Sequence, residues 1–224
     1  MTPVNAELER TLLSRPAERV RRVPEFWELA KRVIDVTIAG VLLVASAPLV
    51  ALAVAAIAAA SPGPAFFLQE RVGKNGERFK LWKLRTMVDG AHLQHSELRG
   101  RSEVDGPVFK IRNDPRLHPL GKLLRRTSID ELPNLINVLR GEMSIVGPRP
   151  PLPCEVEDYD DFARRRLTVK PGITCLWQIS GRSNLSFDEW MRLDNLYIDT
   201  WSPFGDLWIV LRTIPAVVFG EGAH

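Results

Sequence analysis

Val36-Thr37-Ile38-Ala39-Gly40-Val41-Leu42-Leu43-Val44-Ala45-Ser46-Ala47-Pro48-Leu49-Val50, continued to Ala60, is a run of twenty-five residues without a charge. Thr37 and Ser46 carry its only polar side chains. As a straight helix it would extend about 37 Å. A bilayer's hydrocarbon core is about 30 Å thick, so the segment is long enough to cross with some tilt. A helix buried in a soluble core is the plain alternative, but such helices rarely stay apolar on every face for so long. Pro48, near the middle, removes a backbone donor and favours a bend around Ser46 and Ala47. Lys31 and Arg32 precede the run, and Arg71, Lys74, Arg78, Lys80, Lys83 and Arg85 follow it. If positive flanks prefer the cytoplasm, both ends want the same side. A helix that enters, breaks at Pro48 and returns satisfies both flanks, and is preferred here over a full span. The hydroxyl of Ser46 is a candidate partner for the backbone groups freed at the break.

Working outward, the chain divides into an N-terminal tail over 1–29, the re-entrant membrane helix over 30–62, and an interface-associated domain over 63–224. The tail mixes charges and lacks an early apolar stretch, so it does not read as a signal peptide. Of 224 residues 25% are charged and 45% hydrophobic, ordinary values that predict a folded chain. The net charge of +3 does not by itself choose among nucleic acid, lipid and nucleotide. Its placement says more: Glu70 to Arg126 holds fourteen Lys and Arg against seven Asp and Glu, beside the apolar run. That arrangement points to phosphate-bearing partners at a membrane surface, not to nucleic acid. Two cysteines, Cys154 and Cys175, and four histidines show no zinc spacing. The expected fold is α+β and mainly helical, with interfacial amphipathic helices around a cytoplasmic catalytic core. Ala65–Val72 and Arg78–Met87 read as a β-hairpin around Gly73-Lys74-Asn75-Gly76. Val88–Arg116 reads as a helix and loop, Pro119–Arg126 as a short helix, and Leu132–Leu139 as another closed by Gly141. Further helices are expected over Glu155–Leu167, from Ser186 to about Asp199 with Glu189 completing a capping box, and over Asp206–Phe219. Trp190, Trp201 and Trp208 suit either the lipid interface or a core.

The sharpest constellation is Arg125-Arg126-Thr127-Ser128-Ile129-Asp130-Glu131-Leu132-Pro133. Two carboxylates just before a proline belong at a helix start, near the positive end of its dipole and beside arginines. Such a place attracts phosphate and keeps a carboxylate ionised, able to attack or to hold a divalent cation. Ser128 and Glu131 also stand at capping-box spacing, the purely structural explanation. Arg149 sits in a loop stiffened by Pro148 and Pro150, where a guanidinium would be pre-positioned for a phosphate oxygen. Asp114, Pro115, Arg116 and Lys110 add charge nearby. Gly73-Lys74-Asn75-Gly76 lacks the spacing of a nucleotide-binding P-loop.

Six strings occur together and in order: Lys31-Arg32-Val33-Ile34-Asp35; Pro62-Gly63-Pro64-Ala65-Phe66-Phe67 with Gln69-Glu70-Arg71-Val72-Gly73; Lys83-Leu84-Arg85-Thr86-Met87; Ser128-Ile129-Asp130-Glu131-Leu132-Pro133; Val146-Gly147-Pro148-Arg149-Pro150; and Lys170-Pro171-Gly172-Ile173-Thr174. This chain resembles the bacterial sugar transferases, the monotopic polyprenol-phosphate phosphoglycosyl transferases, from about Lys31 to Phe219. The resemblance implies transfer of a sugar-1-phosphate from a UDP-sugar to undecaprenyl or another polyprenyl phosphate, with UMP released, as the first membrane step of exopolysaccharide or other glycoconjugate assembly. It implies Asp130 as nucleophile and Glu131 as its partner, the two associated with Mg²⁺. Arg125, Arg149, Arg85 and Lys110 become candidate phosphate-binding cations, and Pro148 and Pro150 position the loop. The family's membrane helix breaks at an adjacent Ser-Pro pair, whereas here Ala47 separates Ser46 from Pro48. The implied location is the cytoplasmic face of the bacterial inner membrane. Galactose and glucose are the favoured sugars, and a homodimer is compatible with this reading.

Overall fold

The apolar run lies inside helix α1, Glu25–Ala60, which continues uninterrupted through Pro48. In the computed structural model, residues 24–88, 90–91, 98, 100, 102–103, 105–109, 111, 114–180 and 185–218 are described. Much of the expected Val88–Arg116 helix and loop, with Lys110, and most of the tail fall outside them. The carbonyl that Pro48 leaves without a helical donor is that of Val44, four residues back. Ser46 Oγ instead donates to Leu43 O at 3.4 Å.

Asp35, Ala39, Ala53 and Ile57 are the buried residues of α1, with Leu43, Ser46 and Val50 half-buried between them. Their spacing traces one stripe along the helix. The remaining faces present Val41, Val44, Leu49 and Leu52 outward, Val44 at 76% exposure. Both ends of α1 dock on the same folded body. At the start, Lys31 Nζ lies 2.6 Å from Asp206 Oδ2, Arg32 donates to Val138 O and Leu139 O at 2.6 and 2.8 Å, and Asp35 accepts from Ile145 N at 3.0 Å. At the end, Ala53 and Ile57 pack with Leu84 and Leu124. Arg85 donates to Ser61 O at 2.8 Å and to Pro62 O. Lys31 and Arg32 are therefore engaged by protein groups, beyond any service as flanking charges.

The fold is mainly helical with a short β-hairpin, as expected. Strands β1 (Phe66–Val72) and β2 (Arg78–Leu84) pair antiparallel, with Phe67 opposite Lys83 and Arg71 opposite Phe79. Asn75 adopts a left-handed φ of 58° in the turn, which asparagine tolerates. The other edge of β2 is covered by Asn137, which accepts from Trp82 N at 3.1 Å and donates to Lys80 O at 2.8 Å. Those bonds remove an exposed strand edge. Helix α2, Pro119–Arg126, begins at the cap His118, whose Nδ1 accepts from Gly121 N at 3.0 Å. A 3₁₀ turn, Ile129–Glu131, leads to α3, Asn134–Arg140, which ends on Gly141 at φ 85°.

Strand β3, Ser144–Val146, pairs in parallel with β4, Gly172–Thr174, a pairing the sequence did not announce. The intervening crossover was expected to hold one helix from Glu155 to Leu167. It is in three pieces: α4, Pro153–Glu157; α5, Asp161–Arg164; and a 3₁₀ turn over Arg165–Thr168. Asp160 makes the difference, because its carboxylate accepts from Ala163 N at 2.8 Å and caps a new helix there. Helix α6, Leu176–Ile179, precedes α7, Phe187–Thr200, whose Ser186–Glu189 capping box forms as expected. Helix α8, Pro203–Val218, starts three residues earlier than expected and turns Phe204, Leu207, Trp208, Leu211 and Ile214 outward. The main core joins Ala39 of α1 to Leu135, Val138, Met143, Ile145, Tyr197 and Ile209.

Gly147 and Gly172 bring β3 and β4 into backbone contact, since a Cβ on Gly172 would stand 2.1 Å from Gly147 N. No side chain can yield there. Gly172→Ala is expected to destabilise the fold by about 3 kcal/mol. Thermal unfolding in detergent checks it, and a midpoint equal to the parent protein's would refute the close-approach account.

Candidate active site

Ser128 takes a left-handed turn, φ 56° and ψ 17°, between α2 and the 3₁₀ turn. This sends Ile129 toward the cluster around Leu124 and buries Asp130, which is 6% exposed. The capping box does not form at this place. Ser128 makes no side-chain cap hydrogen bond, and Glu131 Oε1 instead accepts from Lys83 Nζ at 2.7 Å. The pair precedes α3 directly, through Leu132 and Pro133.

Asp130 and Glu131 open onto a cleft of about 740 Å³. Among the described residues six cations line it: Arg71, Lys83, Arg85, Arg116, Arg125 and Arg149. Burial and the neighbouring Glu131 carboxylate push the Asp130 pKa up to about 6, against the pull of Lys83 and Arg125. Burial works in the same sense on Glu131, but Lys83, Arg149 and Arg71 outweigh it and hold that carboxyl below the usual range. Two adjacent carboxylates thus have their proton affinities separated. Glu131 is the fixed charge, and Asp130 is ionised above about pH 6. Arg125 donates from Nε to Thr86 Oγ1 at 3.1 Å, on the Asp130 side of the cleft. Beside it lies the buried pair of Arg116 with Asp114, joined by Nε to Oδ1 at 2.8 Å.

The Pro148–Pro151 loop has few donors to offer, and it is held by its acceptors. Gly172 N donates to Pro148 O at 2.9 Å, Arg166 Nη2 to Arg149 O at 3.0 Å, Arg71 Nη1 to Pro150 O at 2.9 Å, and Val72 N to Pro151 O at 3.0 Å. Four consecutive carbonyls are therefore fixed, and the Arg149 guanidinium is carried on an immobilised backbone. Its side chain is 33% exposed, with Nη1 3.9 Å from Glu155 Oε1. Arg166 is in turn held by Asp194 at 2.8 Å and by Tyr159 Oη at 2.8 Å, all three buried.

The structure brings together Arg125, Asp130, Glu131 and Arg149, with Pro150 beside them, as the sequence suggested. Arg85 lines the same cleft, but its terminal nitrogens are bonded to Ser61 O and Pro62 O. Lys110 lies outside the described residues. Ser46 and Pro48 are on α1 and do not line the cleft. Sequence reasoning overlooked Lys83 and Arg71 as site residues. Strand alternation held the signal: residues 67, 69 and 71 share a face with 79, 81 and 83, so the hairpin already implied that both cations point one way. It also missed the stacked indoles of Trp177 and Trp190, 4.5 Å apart at 16°, on the cleft wall. These arise from separate helices, and no local pattern marks them.

A model described as "Bacterial sugar transferase" matches residues 26–220. The chain is 45% identical over 198 residues to "Galactosyl transferase CpsE" of Streptococcus agalactiae, covering 87% of this chain and 43% of that one. It is 42% identical over 200 residues to "Exopolysaccharide production protein ExoY" of Rhizobium meliloti, covering 88% of each. A Caulobacter vibrioides protein named "UDP-glucose:undecaprenyl-phosphate glucose-1-phosphate transferase" is 42% identical over 211 residues, covering 88% of this chain and 73% of that one. The chain therefore spans less than half of the first of these and most of the other two.

The raised pKa of Asp130 has a sign that stability can test. The folded protein holds this proton more tightly than the unfolded chain, so stability falls as pH rises from about 4 to about 6, and the loss is complete above that. Asp130→Asn removes the buried charge. At pH 8 the variant is expected to be more stable than the parent by about 2 kcal/mol, the gap closing toward pH 4. Paired thermal scans across that range decide it, and a variant no more stable than the parent at pH 8 would reject the assignment.

Proposed function

The chain belongs to the bacterial sugar transferase family, and from that premise we propose that it moves a sugar-1-phosphate from a UDP-sugar to a polyprenyl phosphate at the cytoplasmic face of the inner membrane. One observation carries the reading: a buried carboxylate, Asp130, stands beside a fixed carboxylate and a set of cations in one cleft, on a body docked to a long apolar helix. The printed names of the relatives from Caulobacter vibrioides and Streptococcus agalactiae point to glucose and galactose as the sugars, and that of the Rhizobium meliloti protein to exopolysaccharide as the product.

The diphosphate of the donor lies toward Arg149, Arg71 and Arg125, which share its negative charge and lessen its repulsion of an approaching carboxylate. Asp130, desolvated and ionised above about pH 6, attacks the phosphorus that bears the sugar. The bond from that phosphorus to the bridging oxygen breaks, and UMP leaves with the electron pair. The product is a phosphosugar–aspartate anhydride. An oxygen of the lipid phosphate then attacks the same phosphorus, forms the polyprenyl diphosphate sugar, and returns Asp130 as a carboxylate.

Magnesium fits this site. Glu131 keeps its charge and its side chain is 35% exposed to the cleft, with Asp130 adjacent. Among the described residues no group of three or more protein ligands gathers, so the ion would take one or two carboxylates with phosphate oxygens and water, as Mg²⁺ commonly does. When bound, it would supply further neutralisation of the diphosphate charge.

The docking of both ends of α1 on one body supports a re-entrant path in the sense that both ends stay on one side of the bilayer, although α1 runs through Pro48 without the expected break. Its outward apolar faces then contact lipid, as does the outer face of α8. Cysteines placed at Glu25 and at Ser61 are expected to react with impermeant reagents only from the cytoplasmic side. Labelling of either from the opposite side would exclude the re-entrant path.

Asp130→Asn is expected to lose activity by about a thousandfold or more. Donor alone should give a burst of UMP no larger than the enzyme concentration, with a matching phosphosugar adduct in intact-protein mass spectra. Release of UDP would point to a conventional glycosyltransferase, and absence of any turnover to a non-catalytic scaffold. Near-normal rates for the asparagine variant would remove Asp130 from the chemistry.

A further inference from the structure

Strand β1 opens with three large apolar residues that all remain open: Phe66 at 37%, Phe67 at 46% and Leu68 at 44% exposure. Successive strand side chains point to opposite faces, so a strand with one buried face should hide every second one. The later part of β1 obeys this for the cleft face, where Arg71 is buried, and its cross-strand neighbours Phe79 and Leu81 are buried too. The first part does not. This open end follows directly on the exit from α1 through Ser61–Pro64.

The cleft face of the hairpin carries Phe67, Gln69 and Arg71 on β1, opposite Lys83, Leu81 and Phe79 on β2. Along β1 it changes from apolar at the open end to cationic at the inner end. Phe67 stands directly opposite Lys83, whose ammonium is 2.7 Å from Glu131. Directly opposed residues on one face have their Cβ atoms about 5 Å apart. Pro64 lines the same mouth, whereas Phe66, on the opposite face of β1, is set edge-on to Trp82 at 6.0 Å.

We propose that Pro64 and Phe67 form an apolar lip that receives the first isoprene units of the acceptor lipid, with its phosphate at Lys83. This deepens the function proposed above and rests on it. The chemistry selects the occupant. A cation facing an exposed aromatic ring across one strand pair matches a molecule whose anionic head joins directly to an apolar chain. The nucleotide-sugar donor has no hydrocarbon chain to place there, and its phosphates match the inner end, where Arg71 and Arg149 act on Glu131. The acceptor thus enters from the membrane end of the hairpin and the donor occupies the inner end, and the two phosphates meet at Asp130.

The test uses the full chain in lipid nanodiscs and separates the two halves of the reaction. Adduct formation is followed with donor alone, and its discharge by undecaprenyl phosphate is then followed in a single turnover. In Phe67→Ser the discharge rate is expected to fall at least tenfold further than the rate of adduct formation, and Phe67→Leu to restore most of it. Equal slowing of both halves, or discharge at the parent rate, would overturn the proposal. Altered self-association with unaltered discharge would assign the lip to a second copy of the chain, and would overturn it as well. Should Phe67→Ser form no adduct, Pro64→Ser takes its place under the same criteria. Failure of the parent protein to form any adduct would instead strike the function on which the lip depends.

Discussion

Two carboxylates adjacent in sequence cannot both be buried and ionised unless cations surround them. That constraint organises this molecule. Lys83 meets Glu131 directly, Arg71 and Arg149 act on Glu131 from one side, and Arg125 acts on Asp130 from the other. The outcome is asymmetric. Glu131 has an ion-pair partner and stays charged, while Asp130, among the described residues, has cations near it without a direct ion pair. An ionised carboxylate poorly satisfied by its surroundings is a better nucleophile than one locked in a salt bridge, and the proposed roles of Asp130 and Glu131 rest on that asymmetry.

The cations need anchoring in turn, and much of the fold can be read as that anchoring. Arg71 arrives on β1, Lys83 on β2, Arg125 on α2 and Arg149 on a proline-rich loop. The loop is the hardest to hold, because prolines donate nothing. Its fixation through four carbonyls requires donors from three directions: the β4 backbone, the β1 backbone and side chain, and Arg166 behind it. Arg166 is itself buried, and a buried guanidinium needs a counter-charge, which Asp194 on α7 supplies. A chain of charge compensation thus runs from Glu131 through Arg149 to Asp194. This also gives α7 a place in the site's architecture that its amphipathic sequence alone would not reveal.

What could be read in advance follows from the range of the interactions. The hairpin, α2 and the capped start of α7 are written locally, in turn residues, a proline at a helix start and the Ser186–Glu189 box, and all three formed as expected. The helix over Glu155–Leu167 failed because Asp160 caps a new start within an otherwise helical stretch. Residues 144–146 and 172–174 could not be paired from sequence, since their contact depends on Gly147 and Gly172 meeting across a crossover of more than twenty residues. At the site, the Asp130–Glu131 pair and Arg149 were visible as clustered or stiffened charges. Arg85 was visible in the same way, yet the fold directs it to the exit of α1, because Ser61 and Pro62 leave carbonyls that only a long donor reaches. Charge patterning identifies cations and cannot say which of them the backbone will claim.

The same competition explains how α1 and the cleft are joined. A helix apolar on most faces has few polar groups with which to fix its orientation. Here the anchors are confined to its ends: Lys31, Arg32 and Asp35 at one, and the carbonyls of Ser61 and Pro62 at the other. The buried stripe between them is made largely of small or half-buried residues, Ala39, Ser46, Val50 and Ala53, which permits close contact while the outer faces stay apolar. Arg85 ties the last turn of that helix to β2, two residues from Lys83. The membrane element and the charge partner of Glu131 are therefore parts of one short, rigid connection. The position of Lys83 relative to α1 is then set by covalent geometry and two hydrogen bonds, so on the proposed reading the depth of α1 in a bilayer would fix how far a lipid phosphate must rise to meet it.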